Sequence, residues 1–474
     1  MHEESSGFRL LTDDQVGKIH SAALDVLSQT GVKFADGDIL DSLARRGARV
    51  DREQGRAHFP RSLVEEAIGK VKPAFSLYSR DPKRHLRIGR PEVHFCNSTY
   101  DVWVLDYRTG RREASTLAHV EKFVRLNDAL ENIDIIGAQV VPQDVPLPLQ
   151  QIKVAETLLK NTTKPFVMNF FNGEEFDTVF EMVAAVAGGE DRLRERPIMV
   201  TLLCPDSPLR YEAPVTDVIR RAVQRGIPVG IGPCPILGAS SPITLAGALT
   251  QALAEALAGV VFVKSVNEDC PLYLGTTPFV MAPQGNLLMA APESYLISMA
   301  YAQMCIRLGI PNSFSCTHSD SKIPTLQTGY EKAMGLMMAV FSGSPLIQVP
   351  AILDDGATTS LEQLVIEAEM AGAARRILRR FAVSDETLAL DVIAECALSG
   401  GFPAHDHTVA HLRSEFWSPS ILFRRTREQA EDGKKTLVEN AVRKVEDILA
   451  NHRPAPLPAE IEAKIKAIVS RVRS

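Results

Sequence analysis

The sequence predicts an α/β protein, a (β/α)8 (TIM) barrel with an N-terminal helical cap and a C-terminal helical extension. Eight short, continuous apolar runs follow one another along the chain, and amphipathic stretches of helical period separate them. Continuous apolar strands that alternate with helices are typical of a parallel sheet covered by helices. Eight such units favour closure of that sheet into a barrel.

Residues 1–75 form the predicted cap. Apolar residues recur at helical spacing over 13–30, and Gly31 follows as a C-terminal stop. The other predicted elements of the cap are two shorter helices and a hairpin, at 37–46, 61–71 and 48–60.

Residues 76–380 form the predicted barrel, and residues 381–474 form the extension, whose last helix is predicted at 458–472. The eight predicted strands lie at 92–97, 134–141, 165–171, 197–204, 227–233, 271–276, 310–316 and 345–351. The eight predicted helices lie at 116–130, 150–161, 174–187, 214–225, 243–262, 292–308, 326–342 and 361–380.

An open, doubly wound sheet is the rival architecture. It would carry a glycine fingerprint for dinucleotides directly after a strand. Gly230, Gly232 and Gly238 lie in and after the fifth predicted strand, but their spacing does not match and prolines intervene. The barrel is therefore favoured.

The composition narrows the class of protein. The chain has 474 residues, of which 45% are hydrophobic and 23% charged, and its formal net charge is −6. Nucleic acid as a partner is not expected, since phosphate binding needs clustered Lys and Arg. We expect no membrane span, because no uninterrupted apolar run approaches about 20 residues. The N-terminus also lacks the pattern of a signal peptide, so the predicted location is the cytoplasm.

Residues at the carboxyl ends of the strands are the candidates for the active site, because the loops that follow the strands build the site in this fold. Those predicted to bind substrate combine amides with aromatic rings, namely Asn97, Tyr100, Trp103, Asn169, Phe170, Phe314 and Gln348. Gln139 also lies at a strand end. Such a lining suits a quaternary ammonium, which aromatic faces can hold. The alternative is that Trp103, Phe170 and Phe314 are core packing.

His318 and Asp320 follow the seventh predicted strand and are the catalytic candidates, as a general base and the residue that orients it. In a second interpretation, His318 and Asp320 form half of a metal site with Cys316. A zinc site built from Cys204, Cys234 and Cys316 is a further alternative. The seven cysteines lie singly along the chain, which predicts neither a disulfide framework nor a zinc ribbon.

A histidine-rich segment near the C-terminus, FPAHDHTVAH, offers another metal site, since His407 and His411 share a helix face. Because the segment lies outside the eight units, we favour the competing interpretation. In it Asp406 or Thr408 caps a helix and the histidines lie on the surface.

Several long strings occur in an order that resembles a known family. They are ALDVLSQTGVKF at 23–34, PDSPLRY at 205–211, PILGASSPITLAGALTQALAEALAG at 235–259, APES at 291–294, SDSKIPTLQTGYEKAM at 319–334, TTSLEQLVIEAEM at 358–370 and HDHTVAHLRSEFWSP at 405–419. The chain resembles the trimethylamine methyltransferase (MttB) family of corrinoid-dependent methyltransferases over nearly its whole length. The fold implied by this resemblance is again a (β/α)8 barrel.

The resemblance implies transfer of a methyl group from a methylated amine to the cobalt of a separate corrinoid protein, with no cofactor held tightly by this chain. In the trimethylamine enzymes a pyrrolysine stands near the end of the seventh strand, around 316–319 here, where this sequence has only standard residues. The members without pyrrolysine act on betaines, so the implied substrate is a quaternary amine. The residues expected to face the corrinoid are Asp206, Gly275, Thr276 and Cys316.

Two other functions stay open at this stage. One is a non-catalytic, betaine-binding barrel, and the other is a zinc-assisted corrinoid methyltransferase that acts on thiols or methanol. Relatives that act on glycine betaine often carry His where this chain has Gln348, which leaves the exact amine open. The oligomeric state is also open, with a homo-oligomer among the options.

Overall fold

Eight parallel strands close into a barrel in the computed structural model, which describes residues 8–81, 84–422, 424, 426 and 436–472. The barrel strands are, in chain order, His94–Asn97, Ile135–Ile136, Phe166–Met168, Met199–Leu203, Val229–Ile231, Leu272–Leu274, Ser313–Ser315 and Leu346–Gln348. Each strand pairs with its neighbours in chain order, and the eighth pairs with the first. The ring closes between the sixth and seventh strands, where the backbone N–H of Leu274 donates to the carbonyl of Pro311 at 2.9 Å. The predicted barrel is confirmed.

A helix follows each barrel strand and covers its outer face. These barrel helices are Leu117–Ala129, Leu147–Asn161, Gly173–Ala187, Ala213–Gln224, Leu245–Val266, Pro292–Arg307, Leu326–Ser342 and Leu361–Leu378. Side chains at the ends of the preceding loops start several of them. The Thr116, Asn172 and Ser360 side chains each accept a hydrogen bond from a backbone N–H in the first turn.

Strand alternation separates the barrel interior from the layer between strands and helices. The interior side chains are Cys96, Ile135, Val167, Val200, Tyr273 and Leu346, which form one apolar cluster. Gly230 leaves room for a ring in this cluster, because a Cβ atom there would lie 2.4 Å from the ring of Tyr273. Residues of opposite parity, such as Phe95 and Ile347, pack outward into the main core.

A hairpin of Phe75–Tyr78 and His85–Ile88 closes the amino-terminal end of the barrel. Its residues Phe75, Leu77 and Ile88 join the interior cluster, and the Phe75 ring stacks on Tyr273 with 6.5 Å between centroids. The carboxyl-terminal mouth is therefore the end at which a site can open. This hairpin was not predicted.

The N-terminal segment is mixed rather than purely helical. Its helices are Asp13–Asp25, Gly37–Arg45 and Arg61–Gly69, its π-helical turn is Val26–Thr30, and its strands are Val32–Phe34, Arg49–Asp51 and Arg56–His58. The last two strands form the hairpin predicted at 48–60. Val32–Phe34 pairs with Arg210–Tyr211, a short strand in the loop after the fourth barrel strand.

Helix Leu245–Val266 lies between this segment and the barrel. It is long and apolar enough to cross a membrane, but 78% of its most apolar window is buried inside the protein. The helix also buries Glu255 and Lys264, whose polar ends bond to neighbouring loops. Because it is mostly buried by the rest of the protein, this helix belongs to the core.

The C-terminal part returns to the barrel by way of a protruding stretch. Its elements are Asp385–Leu388, Leu390–Ser399, Phe402–Ala404, Asp406–Glu415, Leu437–Asn451 and Ala459–Ser470. The last two pack on barrel helices. One hydrophobic cluster runs from Val16 to Ile468. The three parts of the chain therefore share a core, and the boundaries at residues 75 and 380 stay a prediction.

Short strands complete the loops around the mouth. They are Trp103–Asp106, Arg111–Ala114, Ile352–Leu353 and Thr358–Thr359 in one small sheet, and Ile236–Leu237, Phe279–Met281 and Leu287–Leu288 in another. The remaining short helices are Glu190–Glu195 and Asp354–Gly356. Both small sheets belong to loops that follow barrel strands, so they wall the mouth.

Candidate active site at the barrel mouth

Tyr100, in the loop after the first strand, reaches across the mouth. Its hydroxyl accepts a short hydrogen bond from the backbone N–H of Asn169 at the end of the third strand. Burial raises the pKa of the Tyr100 phenol, and nearby Cys204 and Cys96 add to the effect. Tyr100 is therefore a neutral phenol over the barrel interior.

His318 lies on the opposite side, after the seventh strand. Its Nε2 atom is 2.7 Å from the Ser315 hydroxyl, and the ring is buried. Burial, with a smaller contribution from the Lys332 ammonium, lowers the pKa of His318 to about 3. The imidazole is therefore neutral in the physiological range and adds no positive charge to the mouth.

Two buried amide oxygens near the mouth have no hydrogen-bond donor among the described residues. They are Oδ1 of Asn169 and Oε1 of Gln139. Gln139 adopts a left-handed backbone conformation, with φ of 64°, and its Nε2 donates to the carbonyl of Pro350 at 2.8 Å. Gln139 thus bridges the ends of the second and eighth strands while its oxygen stays free. Buried polar atoms without a partner are uncommon, and these two are candidates to contact a ligand.

Gln348 ends the eighth strand with the same parity as Leu346, an interior residue, so its side chain faces into the barrel. Within the part of the chain that the structure describes, its amide makes no hydrogen bond. Gln348 and Ser315 are direct neighbours across the seventh and eighth strands. The structure therefore brings Tyr100, Asn169, Gln348 and His318 to one mouth, as predicted for residues at strand ends.

A buried ion pair that was not predicted holds the loops after the seventh and eighth strands. The ammonium of Lys332 lies 2.7 Å from Glu367, and both side chains are fully buried. Lys332 also donates to the carbonyls of Thr317 and Ile352, each at 2.5 Å, and Glu367 accepts from the backbone N–H of Ala351 at 2.8 Å. The signal was helical spacing: Lys332 lies four residues before Leu336 and Glu367 lies three residues after Leu364, so each falls on an apolar helix face.

Asp101 is a second buried carboxyl group that was not predicted. Its Oδ2 atom lies 3.1 Å from the Thr99 hydroxyl, which in turn contacts the backbone carbonyl of Gln139 at 2.5 Å. Burial raises the pKa of Asp101 well above its usual value. A cation placed nearby would favour the ionised form of this carboxyl.

Asp320 does not orient His318. Its Oδ1 atom accepts hydrogen bonds from the backbone N–H groups of Met289 and Ala290, at 2.9 and 3.2 Å. Asp320 therefore holds the loop after the sixth strand, and the predicted base-and-orienter pair is not formed. Residues two apart share a face in a regular strand, but residues 316–320 form no strand, so the spacing does not bring the two side chains together.

The predicted aromatic cage is not assembled. Phe314 is buried in the main core between strands and helices, and Phe170 packs edge-on against Phe176 of the following helix at 5.2 Å. One face of Trp103 is occupied by the Arg112 guanidinium, 4.6 Å from the ring centroid. Core packing is thus the better account of the two phenylalanines, and of the four aromatic residues predicted to bind substrate Tyr100 is the one that reaches across the mouth.

Asn97 also differs from the prediction. It is fully buried, and both polar atoms of its amide lack a partner among the described residues. Strand alternation from Cys96, an interior residue, turns Asn97 toward the helices. It therefore does not share the face of Gln348.

Of the residues expected to face a corrinoid, one is exposed. Asp206 lies in a turn beside Arg210. The Thr276 hydroxyl donates to the carbonyl of Pro233 at 2.9 Å, and the Cys316 thiol donates to the carbonyl of Gln348 at 3.1 Å. Gly275 leaves space for the Ser313 hydroxyl. Thr276, Cys316 and Gly275 are therefore buried at the strand ends, where they contact neighbouring loops and strands.

The thiols of Cys204 and Cys234 lie 3.8 Å apart at the ends of the fourth and fifth strands. Cys234 donates to Cys204, which lowers the pKa of the Cys204 thiol. Cys316 bonds elsewhere, and the described residues contain no group of three His, Cys, Asp or Glu side chains that could hold a metal ion. The zinc site from three cysteines is therefore not formed.

The histidine segment forms a helix start rather than a metal site. His405 precedes helix Asp406–Glu415, and its Nδ1 atom accepts from the backbone N–H of His407 at 3.1 Å. The His407 and His411 ring centroids lie 4.4 Å apart, with the ring planes tilted by 41°. The capping interpretation holds, but the capping residue is His405 and not Asp406 or Thr408.

Comparison with known proteins places this barrel in a family. The family model described as trimethylamine methyltransferase (MTTB) matches residues 1–474. The chain belongs to the trimethylamine methyltransferase (MTTB) family. This MTTB-family chain is 32% identical to the trimethylamine methyltransferase MttB of Desulfitobacterium hafniense strain DSM 10664 / DCB-2. The matched region of 473 residues covers 98% of this chain and 94% of that protein.

A second relative has a different substrate in its name. The glycine betaine methyltransferase of D. hafniense strain Y51 is 28% identical, over 98% of this chain and 97% of its own length. Among solved structures, the monomethylamine methyltransferase MtmB of Methanosarcina barkeri shares the fold, with a TM-score of 0.53 at 12% identity over 93% of this chain and 89% of its own. The MTTB-family chain is therefore a methyltransferase.

Proposed function

We propose that this methyltransferase moves a methyl group from a quaternary amine of the betaine type to the Co(I) centre of a separate corrinoid protein. The observation that supports it is the charge state of the mouth. His318 and Tyr100 are both neutral, and the Lys332 ammonium is paired with the Glu367 carboxylate. A fixed cation would repel a quaternary ammonium. In the loops around the mouth, Arg112 and Lys322 are each paired with the Asp354 carboxylate.

The reaction of a quaternary amine needs no proton from the protein. When the methyl group is displaced, the nitrogen leaves as a neutral tertiary amine and carries both electrons of the broken C–N bond. His318, with a pKa of about 3, is a poor acid–base catalyst at neutral pH, and this reaction requires no acid–base catalyst. When bound, the partner's corrinoid supplies the nucleophile in the form of reduced cobalt.

The chain's own contribution is binding and orientation of the amine. The free oxygens of Asn169 and Gln139 are suited to the positively polarised methyl groups around a quaternary nitrogen. Tyr100 offers a ring face nearby. The amide of Gln348 is available for a carboxylate tail of the substrate. These roles replace the predicted cage of Phe170 and Phe314.

The corrinoid protein needs a surface around the mouth on which to dock. We name as the mouth rim six exposed apolar residues at the starts of barrel helices, namely Leu147, Phe171, Ile243, Ile323, Leu326 and Tyr330. Helices of a barrel start at the carboxyl-terminal face, so the rim surrounds the mouth. An apolar rim of this kind fits a protein partner that brings its cofactor to the opening.

We place the reaction in the cytoplasm as part of the same proposal. All seven cysteines are free thiols, including two that lie 3.8 Å apart. Unpaired thiols in such contact are typical of a reducing compartment. A reduced cobalt partner needs the same conditions.

The test is methyl transfer in a mixture of the protein, a reduced corrinoid protein and one amine at a time, followed by the visible absorbance of the cobalt. We expect methylated cobalt with glycine betaine, proline betaine or carnitine, and none with trimethylamine. Turnover of trimethylamine alone would contradict the proposal. Binding of a betaine by calorimetry without any transfer would instead support a non-catalytic barrel.

A further inference from the structure

The stretch 381–416, which we call the arm, exposes an unusual number of large apolar side chains. They are Phe381, Val383, Leu388, Leu390, Ile393, Leu398, Phe402, Val409, Leu412 and Phe416. Leu398 is 94% exposed. Single apolar residues on a surface are ordinary, but a contiguous group in one stretch marks an interaction surface.

The arm packs little against the rest of the described chain. Helix Leu390–Ser399 buries Cys396 but leaves its leucines and isoleucine in solvent, and helix Asp406–Glu415 has no buried residue. By contrast, the later helix Leu437–Asn451 buries Ala441 and Val445 against the barrel helices. The ten arm side chains expose on the order of 1,000 Å², which is similar to one side of a stable protein interface, about 800 Å².

The arm lies at the end of the molecule opposite the mouth. It follows barrel helix Leu361–Leu378, whose last turn carries Arg375. Arg375 pairs with Asp134, which immediately precedes the second barrel strand. The start of a barrel strand marks the amino-terminal end of the barrel, so a corrinoid protein that docks at the mouth rim does not cover the arm.

The charges favour a second copy of the chain as the occupant. The arm carries six acidic side chains and one arginine. Between the end of the arm and the end of helix Leu361–Leu378 lies a cavity of about 820 Å³. Its lining includes Arg375, Arg376 and Arg379 at the helix end, Arg413 and Phe416 of the arm, and Trp417. One surface therefore holds both an acidic apolar arm and a basic aromatic socket, which is the self-complementary arrangement that a two-fold interface needs. An anionic lipid surface would repel the acidic arm.

We infer that two copies of this chain associate through their arms, with the acidic apolar arm of one copy seated at the arginine-lined cavity of the other. Most of the arginines already have a partner in their own chain, such as Arg376 with Glu415 at 3.1 Å. Arg413 pairs with no carboxylate in the described residues and is free to meet an acidic residue of the second copy. The interface is independent of the methyl-transfer reaction.

The test is the mass of the full chain in solution, measured by light scattering after gel filtration and by sedimentation at micromolar concentrations. We expect the wild type to be a dimer or a larger even-numbered assembly. Replacing both Leu390 and Leu398 by Glu should raise the dimer dissociation constant about 30-fold or more, since two apolar anchors become charged. Arg413→Glu should also weaken association.

A matched control separates the arm from surface hydrophobicity in general. Leu326, in the mouth rim, is 92% exposed, so Leu326→Glu is the same change at the same exposure on the other end of the barrel. We expect Leu326→Glu to keep the wild-type mass. All variants should melt like the wild type, because none of the replaced side chains is buried. A monomeric wild type, or an unchanged mass in the Leu390 and Leu398 double variant, would overturn the inference.

Discussion

At the scale of single residues, burial sets the protonation of the site. The unfolded chain would bind a proton at His318 near pH 6.5, but in the folded protein its pKa is lowered to about 3. Below pH 6.5 the unfolded state therefore binds a proton at His318 and the folded state does not, so the free energy of unfolding falls as the pH falls. Keeping His318 neutral therefore lowers the stability of the folded protein only at acidic pH.

This cost can be measured. Replacing His318 by Gln should remove a loss of about 2 kcal/mol in the free energy of unfolding between pH 7 and pH 5, since one proton accounts for about 1.4 kcal/mol per pH unit. Urea unfolding of both proteins at the two pH values gives the comparison. Equal losses in wild type and variant would show that His318 is not held neutral by burial.

Tyr100 provides a second test at this scale. Tyr100→Phe removes the hydroxyl that accepts from the Asn169 N–H, so the end of the third strand loses its position. We expect KM for the quaternary amine to rise about tenfold, in line with one lost buried hydrogen bond. Tyr273→Phe, the same change deeper in the barrel interior, is the control, and it should leave KM unchanged. A similar KM in both variants would argue against Tyr100 as a binding residue.

Strand geometry decides which residues of the site could be predicted from the sequence. Tyr100, Asn169, His318 and Gln348 could be placed at the mouth because loops after barrel strands build the site. Phe314 was misplaced because neighbouring residues of a strand face opposite sides, so an error of one residue in a boundary exchanges interior and exterior. Local sequence does not fix that boundary.

At the scale of elements, the Lys332–Glu367 pair couples two helices to the two loops that end at the mouth. Lys332→Met leaves Glu367 buried without its cation, and we expect a loss of about 3–5 kcal/mol in the free energy of unfolding. Adding Glu367→Leu should recover part of that stability. Activity should stay low in the double variant, because the Ala351 N–H has lost its acceptor. Recovery of full activity would mean that the pair does not position these loops.

Gly230 tests the packing of the barrel interior. Gly230→Ala introduces a methyl group 2.4 Å from the Tyr273 ring, and we expect a destabilisation of about 1–3 kcal/mol by overpacking. Gly329→Ala, at an exposed helix position with open space, is the control and should be neutral or stabilising. Thermal unfolding of both variants distinguishes the two. A neutral Gly230→Ala would show that the interior can relax.

Elements were predictable in proportion to their local signal. All eight barrel helices and strands lie within or close to their predicted ranges, because apolar periodicity over a long stretch is a strong local pattern. The hairpin around Phe75 and Ile88 has the alternation of a strand, but it is short and falls at the predicted boundary. The pairing of Val32–Phe34 with Arg210–Tyr211 joins positions far apart in sequence, which no local pattern shows.

At the scale of the whole molecule, the two ends of the barrel have different exposed surfaces. Leu326→Glu at the mouth rim should slow methyl transfer about tenfold at low concentrations of corrinoid protein, because it places a charge in the proposed docking surface. Calorimetric binding of the amine should not change. If transfer is as fast as in the wild type, the rim is not the docking surface.

The barrel itself was predictable at this scale, since eight alternating units leave few other architectures. The exposure of the arm was not, because an apolar helix pattern predicts a buried face without saying which molecule buries it.

The hairpin that seals one end of the barrel has a kinetic consequence. Under the proposed function, amine, product and cobalt all use the doorway at the mouth, so a docked carrier blocks the exchange of small molecules. Turnover should then follow a compulsory order, in which the amine enters first and the demethylated product departs last. A large excess of carrier should inhibit, because it occupies the doorway of the empty enzyme.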